Sequence, residues 1–232
     1  MCRRMTVIEF DELLGIIHAI EYHTPFNVRP DWPARPRDAF PNDMVPLLIA
    51  GTSEDMAVEE FEWNKEMIAA ASVDEACIIP ARKQWGFEAA GRSQVIFNTR
   101  IETASELPLW KDSLEERRCI IPVRAFYETH GTETAISPRS GCTVKQVYRF
   151  TDDIGLMLLA GIWKNDRFSV VTTSPNMSVA PVHDRMPLVL SRDNAHAWLM
   201  GDWRTVPKTT DISLASAPIY QPQASVDQPR LF

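Results

Sequence analysis

The chain has 232 residues, 45% of them hydrophobic, which suits one large domain or two small ones with a real core and excludes a disordered protein. Its net charge of −7 argues against a broadly basic nucleic-acid binder, although cations at Arg3-Arg4, Arg82-Lys83, Arg92, Arg100 and Arg117-Arg118 leave room for a local basic groove. Apolar runs such as Ile154 to Ile162 fall far short of the roughly 20 residues of a membrane helix, and Met1 to Thr6 leads into no signal-type apolar core, so a cytoplasmic protein without membrane contact is expected.

In chain order, Phe10, Leu13, Leu14, Ile17 and Ile20 recur at helical spacing and predict a first helix over Ile8 to Ile20, with Thr6 as candidate cap. Pro25, Pro30, Pro33, Pro36 and Pro41 then impose an extended loop from Tyr22 to Asn42. Strands are predicted at Met44 to Ala50, Val58 to Trp63, Val95 to Arg100, Arg118 to Pro122, Val147 to Phe150, Ile154 to Trp163 and Phe168 to Thr173, all rich in β-branched and aromatic residues. Later helices are predicted over Glu102 to Glu116, interrupted at Pro108, and over Asp193 to Met200 behind a Ser191 cap. Strands without regularly alternating helices predict an α+β fold: a single β-rich domain over residues 1–206, with a curved, mostly antiparallel, barrel-like sheet and peripheral helices. An irregular tail over 207–232 follows, and a monomer is expected.

The four cysteines show no C-x-x-C pair and no histidine at zinc-finger spacing, so neither a disulfide framework nor a metal or other cofactor is expected. Cys77 and Cys119 sit in apolar runs and read as buried, inert thiols. Cys2 differs by position. Once Met1 is removed it carries an α-amine with a pKa of about 7.7 to 8.0 beside a thiol near ~8.5. An amine condenses with an aldehyde to an imine, and a thiol on the neighbouring carbon then closes a five-membered thiazolidine. The competing reading of Cys2 is a tolerated residue in a frayed terminus.

Three later segments join apolar strand character to reactive groups. Asn98, Arg100 and Glu102 are predicted on one face of a strand, where the alternative is a solvated edge. Glu128 follows Phe126-Tyr127, and a carboxyl buried beside aromatic rings has a raised pKa suited to proton transfer near neutrality, the alternative being an exposed acid. His183-Asp184-Arg185 lies between Pro181 and Pro187, offering an imidazole and a guanidinium fit for a phosphate. His18, His23, His130 and His196 have no supporting pattern.

These segments resemble the SOS response-associated peptidase family, the abasic-site processing proteins. The matching pieces, in family order, are Cys2 and Arg4, Phe26-Asn27-Val28-Arg29-Pro30, Trp85-Gly86-Phe87, Asn98-Thr99-Arg100-Ile101-Glu102-Thr103, and Arg118-Cys119-Ile120-Ile121-Pro122 with Tyr127-Glu128. Ala160-Gly161-Ile162-Trp163, Thr172-Thr173 and His183-Asp184-Arg185-Met186-Pro187 with Leu190 complete them. The resemblance implies a protein that binds single-stranded DNA and links its N-terminal cysteine to an abasic site, with removal of Met1 as associated autoproteolysis. It implies Cys2 as nucleophile, Asn98 and Glu128 holding and activating it, and His183 assisting proton transfer at the opened sugar. Arg4, Arg100 and Arg185 are implied at phosphates, and Pro30 and Trp85 against bases. The chain departs from the family at Arg3, where a glycine is usual, and at Thr129, where an aromatic is common. Two other classes compete: a non-covalent single-stranded DNA binder or damage-signalling adaptor, which needs no such catalytic set, and a cysteine peptidase acting on other proteins.

Overall fold

The computed structural model describes residues 2–26, 37–52, 76–89, 91, 94–206, 208 and 212–220. Pro30, Arg92 and the predicted strand Val58 to Trp63 lie outside these residues. The described strands are β1 (Arg4–Val7), β2 (Arg37–Ala39), β3 (Met44–Gly51), β4 (Cys77–Trp85), β5 (Asn98–Arg100), β6 (Arg118–Ile136), β7 (Thr143–Thr151), β8 (Met157–Lys164), β9 (Arg167–Thr173), β10 (Met186–Pro187), β11 (Val189–Leu190) and β12 (Ala215–Pro218). The α-helices are α1 (Leu13–Glu21), α2 (Ile101–Ala104), α3 (Lys111–Glu116) and α4 (Arg192–Met200).

The first half of β6 is flanked on both sides, Ile120 lying opposite Leu48 of β3 and opposite Ala160 of β8. From β3 the sheet continues through β4 to β9 and from β9 to β8, which returns to β6. That path closes a barrel and removes free edges. Pairing is antiparallel throughout except where β4 and β5 run parallel to β9. The expected α+β class and barrel-like sheet are therefore observed.

Both faces of the ring are buried, which explains why its strands read as near-continuous apolar runs. Period-two alternation divides them. Val45, Leu47, Cys119, Ile121, Leu159, Phe168 and Val170 point into the barrel, while Leu48, Ile120, Leu158, Ala160 and Val171 face an outer layer formed with Leu13, Ile17, Ile20 and Trp198 of the helices. The β6–β8 seam is tight at Gly161, where a Cβ would lie 2.4 Å from the Ile121 side chain and 2.7 Å from Cys119 Sγ. Arg118 anchors the outer layer by donating to Leu114 O at the end of α3 and to Trp198 O and Gly201 O at the end of α4. A cation satisfies orphan carbonyls and complements the helix dipoles there.

Several local readings shift. The first helix begins later than predicted, because β1 extends to Val7 and a 3₁₀ turn over Phe10–Glu12 precedes α1. Thr6 is a strand residue, not a cap; its hydroxyl bonds Asp38 and Tyr127. Ser191 does cap α4, its hydroxyl accepting from Asn194 N at 3.2 Å. Glu102 leaves the strand face shared by Asn98 and Arg100, since α2 starts at Ile101. β12, within the segment read as irregular, pairs with β7. Among the described residues no helix is long and apolar enough to cross a membrane.

Beyond Val123, β6 leaves the ring and pairs with β1 on one side and β7 on the other. This extension holds the start of the chain.

Candidate active site

β1 aligns Arg4 opposite Tyr127 and Met5 opposite Phe126, so the chain enters the sheet beside the outer half of β6. Cys2, just before β1, is fully buried. Its carbonyl accepts a hydrogen bond from Asn98 Nδ2 at 2.9 Å, which fixes the backbone at the start of the chain. Asn98 is itself held: β5 lies along β9, with Thr99 Oγ1 2.8 Å from Ser169 Oγ and Thr172 Oγ1 donating to Thr99 O at 3.2 Å. Asn98 Oδ1 is buried and accepts no hydrogen bond among the described residues. An orphaned buried acceptor is costly and marks a place for a donor.

Alternation along β6 places Glu128 on the opposite face from Tyr127, where only 1% of it is exposed. Burial pushes its carboxyl up to about 7, against the opposing pull of the positive amino terminus. A carboxyl that titrates there can take and return a proton at neutral pH. Burial also raises the Cys2 thiol, and the Glu128 charge adds to that shift, so the thiol remains protonated at neutral pH.

His183 approaches from the loop between β9 and β10, its Nε2 lying 3.9 Å from Glu128 Oε2. Arg185 N donates to His183 Nδ1 at 2.9 Å, whereas the Asp184 carboxylate at 3.1 Å and Arg185 O at 3.1 Å favour a proton on that same nitrogen. The backbone N–H is an obligatory donor and Asp184 is solvent-exposed, so the neutral ring carries its proton on Nε2, toward Glu128. Burial lowers the His183 pKa, with the positive amino terminus acting in the same direction, and the neutral ring prevails at neutral pH.

On the other face of β6, Arg4 donates twice to Asp38 and lies over the Tyr127 ring at 4.0 Å, while Thr6 bridges Asp38 and the Tyr127 hydroxyl. This ring of contacts secures β1, and with it Cys2, against β6. Next to it is a groove of about 780 Å³ whose lining includes Arg3, Arg4, Phe40, Phe97, Tyr127 and Tyr220.

The sequence of residues 1–222 matches the model of a family described as SOS response associated peptidase (SRAP). The chain belongs to that family. It is 25% identical over 227 residues to the abasic site processing protein YoqW of Bacillus subtilis, covering 91% of this chain and 83% of that one. To YoaM of the same organism, also an abasic site processing protein, it is 30% identical over 112 residues, 45% of this chain and 47% of that one. The solved structure of a phage-related protein from Bordetella bronchiseptica shares the fold with a TM-score of 0.58 at 21% identity, covering 95% of each chain.

Within this SRAP fold the expected site residues separate into groups. Cys2, Asn98, Glu128 and His183 converge. Arg4 borders them, paired with Asp38, and Arg100 is exposed at the end of β5. Trp85 corrects an expectation: it is fully buried, stacks on Phe168 at 6.3 Å and donates Nε1–H to Phe97 O at 3.0 Å, so it presents no face to a base. Arg185 is held in this structure by neighbours. Its guanidinium grips both oxygens of Glu102 at 2.8 Å and donates to Thr172 O at 2.9 Å. It joins the His183 loop to the helix that follows Asn98. The sequence reading missed Thr6, Asp38 and Tyr127, and nothing in the pattern of so proline-rich a loop marks Asp38.

Proposed function

We propose that this chain captures abasic sites in single-stranded DNA through a covalent bond to Cys2, working as a monomer in the cytoplasm. The carrying observation is the convergence of Asn98, Glu128 and His183 on the backbone and side chain of a residue that becomes the amino terminus once Met1 is removed. The names of the relatives YoqW and YoaM, abasic site processing proteins, support the same reading.

Processing comes first. The Cys2 thiol, deprotonated by Glu128, attacks the Met1 carbonyl; the S–C bond forms, the C–N bond breaks and the proton passes to the released amine. Water then cleaves the thioester, which frees Met1 and restores the thiol.

Capture follows. The abasic sugar opens to an aldehyde as His183, once protonated, gives its Nε2 proton to the ring oxygen and takes back the proton that leaves the C1′ hydroxyl. Glu128 takes a proton from the Cys2 ammonium, and the neutral amine adds to the aldehyde carbon. Glu128 returns the proton as water leaves, giving an imine. The thiol adds to the imine carbon, its proton goes to the nitrogen, and a thiazolidine replaces a hydrolysable bond. Asn98 orients the uncharged amine through Oδ1 while Nδ2 holds the adjacent carbonyl. Arg4 and Arg100 supply phosphate contacts that read no sequence, which suits damage occurring anywhere.

A labelled single-stranded oligonucleotide with one abasic site tests this on denaturing gels. The native chain is expected to give a heat-resistant shifted band, absent with Cys2→Ala and with intact DNA. A shift seen only under native conditions would identify a non-covalent binder, and cleavage of added casein a peptidase.

A further inference from the structure

Arg3 follows Cys2 in the chain and lines the groove next to Arg4 and Tyr127. Arg3 is exposed, and its guanidinium carbon lies 5.9 Å from the centroid of the Phe97 ring. Among the described residues no carboxylate pairs with it, in contrast to Arg4, which is tied to Asp38. The described lining of the groove holds two arginines and no carboxylate, on a chain of net charge −7. Its lining includes four aromatic side chains, Phe40, Phe97, Tyr127 and Tyr220. Flat π faces with unpaired positive charge match a nucleobase and its phosphate, and a stack of that kind tolerates any base.

The ledge is coupled to the site by chain connectivity. Arg3 follows Cys2, and Phe97 precedes Asn98, which holds the Cys2 carbonyl. Phe97 is braced from behind by Trp85, edge-on at 6.0 Å and bonded to its carbonyl. Arg3 and Phe97 therefore stand one residue from each partner of the Asn98–Cys2 hydrogen bond.

We propose that Arg3 and Phe97 form a stacking subsite for the nucleobase next to the abasic sugar, with Arg3 also drawing that nucleotide's phosphate. This rests on the capture of abasic single-stranded DNA proposed above and goes beyond it by assigning the flanking base a seat.

The test uses oligonucleotides with 2-aminopurine, whose fluorescence is quenched by stacking, on one side or the other of the abasic site. Binding is read in the Cys2→Ala background, so that affinity is measured without crosslinking. One of the two positions is expected to be quenched by the chain carrying Arg3 and not by Arg3→Gly. Arg3→Gly should also weaken binding about tenfold and reduce the slope of log affinity against log salt by about 0.7, one phosphate contact on a single strand. Arg3→Lys should keep the salt slope but lose the quenching, because an ammonium has no planar face. Equal quenching in the Arg3 and Arg3→Gly proteins, or full quenching with Arg3→Lys, overturns the proposal. Failure of the underlying reading is distinguishable, since the native chain would then form no heat-resistant adduct at all.

Discussion

Cys2 and Cys119 are both fully buried, and in both burial raises the thiol above its ordinary range, yet their surroundings differ in kind. Cys119 lies inside the closed ring against Gly161 and the apolar side chains of β3 and β8, with the Lys83 charge opposing its shift. Cys2 lies against the outer half of the same strand, where an amide, a carboxyl and an imidazole are buried with it. Burial alone suppresses a thiol; the polar groups admitted alongside decide whether the residue does chemistry. The same contrast orders the steps of the proposed capture. A thiol held protonated is a poorer nucleophile toward an aldehyde than a neutral amine, so the proposal has the amine attack first and the thiol close the ring afterwards.

Four substitutions break or sharpen this contrast. Cys2→Ala should abolish the heat-resistant adduct, read on denaturing gels. Glu128→Gln should slow capture by about 10²- to 10⁴-fold in single-turnover experiments, the range for loss of a general base. It should also change stability in a set direction. The Glu128 carboxyl is raised from 4.5 to about 7 in the fold, so the native chain loses stability relative to Glu128→Gln as pH rises through that window. The difference, about 3 kcal/mol from the size of the shift, should level off above it, as measured by urea unfolding. Arg185→Lys should lower the capture rate about tenfold by weakening the two-point grip on Glu102, with DNA affinity unchanged. A loss of affinity instead would support the phosphate role implied for Arg185. Cys119→Ala should leave the capture rate unaltered while costing about 1 kcal/mol of stability through the small cavity it opens.

The ring strands were legible because they are rich in apolar and β-branched residues: Met157 to Lys164 and Arg167 to Thr173 are buried almost throughout, and the predicted strands fall on them. β1 was not legible, since four residues give no period and its order comes from Tyr127 and Asp38, distant in sequence. β6 was read only to Pro122 and in fact runs to Ile136, because pairing with β1 and β7 overrides the weak propensity of Glu128 to Glu133. The chemical character of Cys2, Glu128 and His183 could be stated from residue type and neighbours. Their convergence could not, and Trp85 and Arg185 show why. An indole reads the same whether it faces a base or a core, and a guanidinium gives no sign that Glu102 already occupies it.

The most direct measurement is tandem mass spectrometry of the adduct formed with an abasic oligonucleotide, after nuclease digestion and treatment with iodoacetamide. A peptide beginning at Cys2, lacking Met1, carrying the sugar remnant and refusing alkylation at its thiol is the predicted result. A remnant on Cys119 or a lysine, or a modified Cys2 whose thiol still alkylates, would contradict ring closure at the amino terminus.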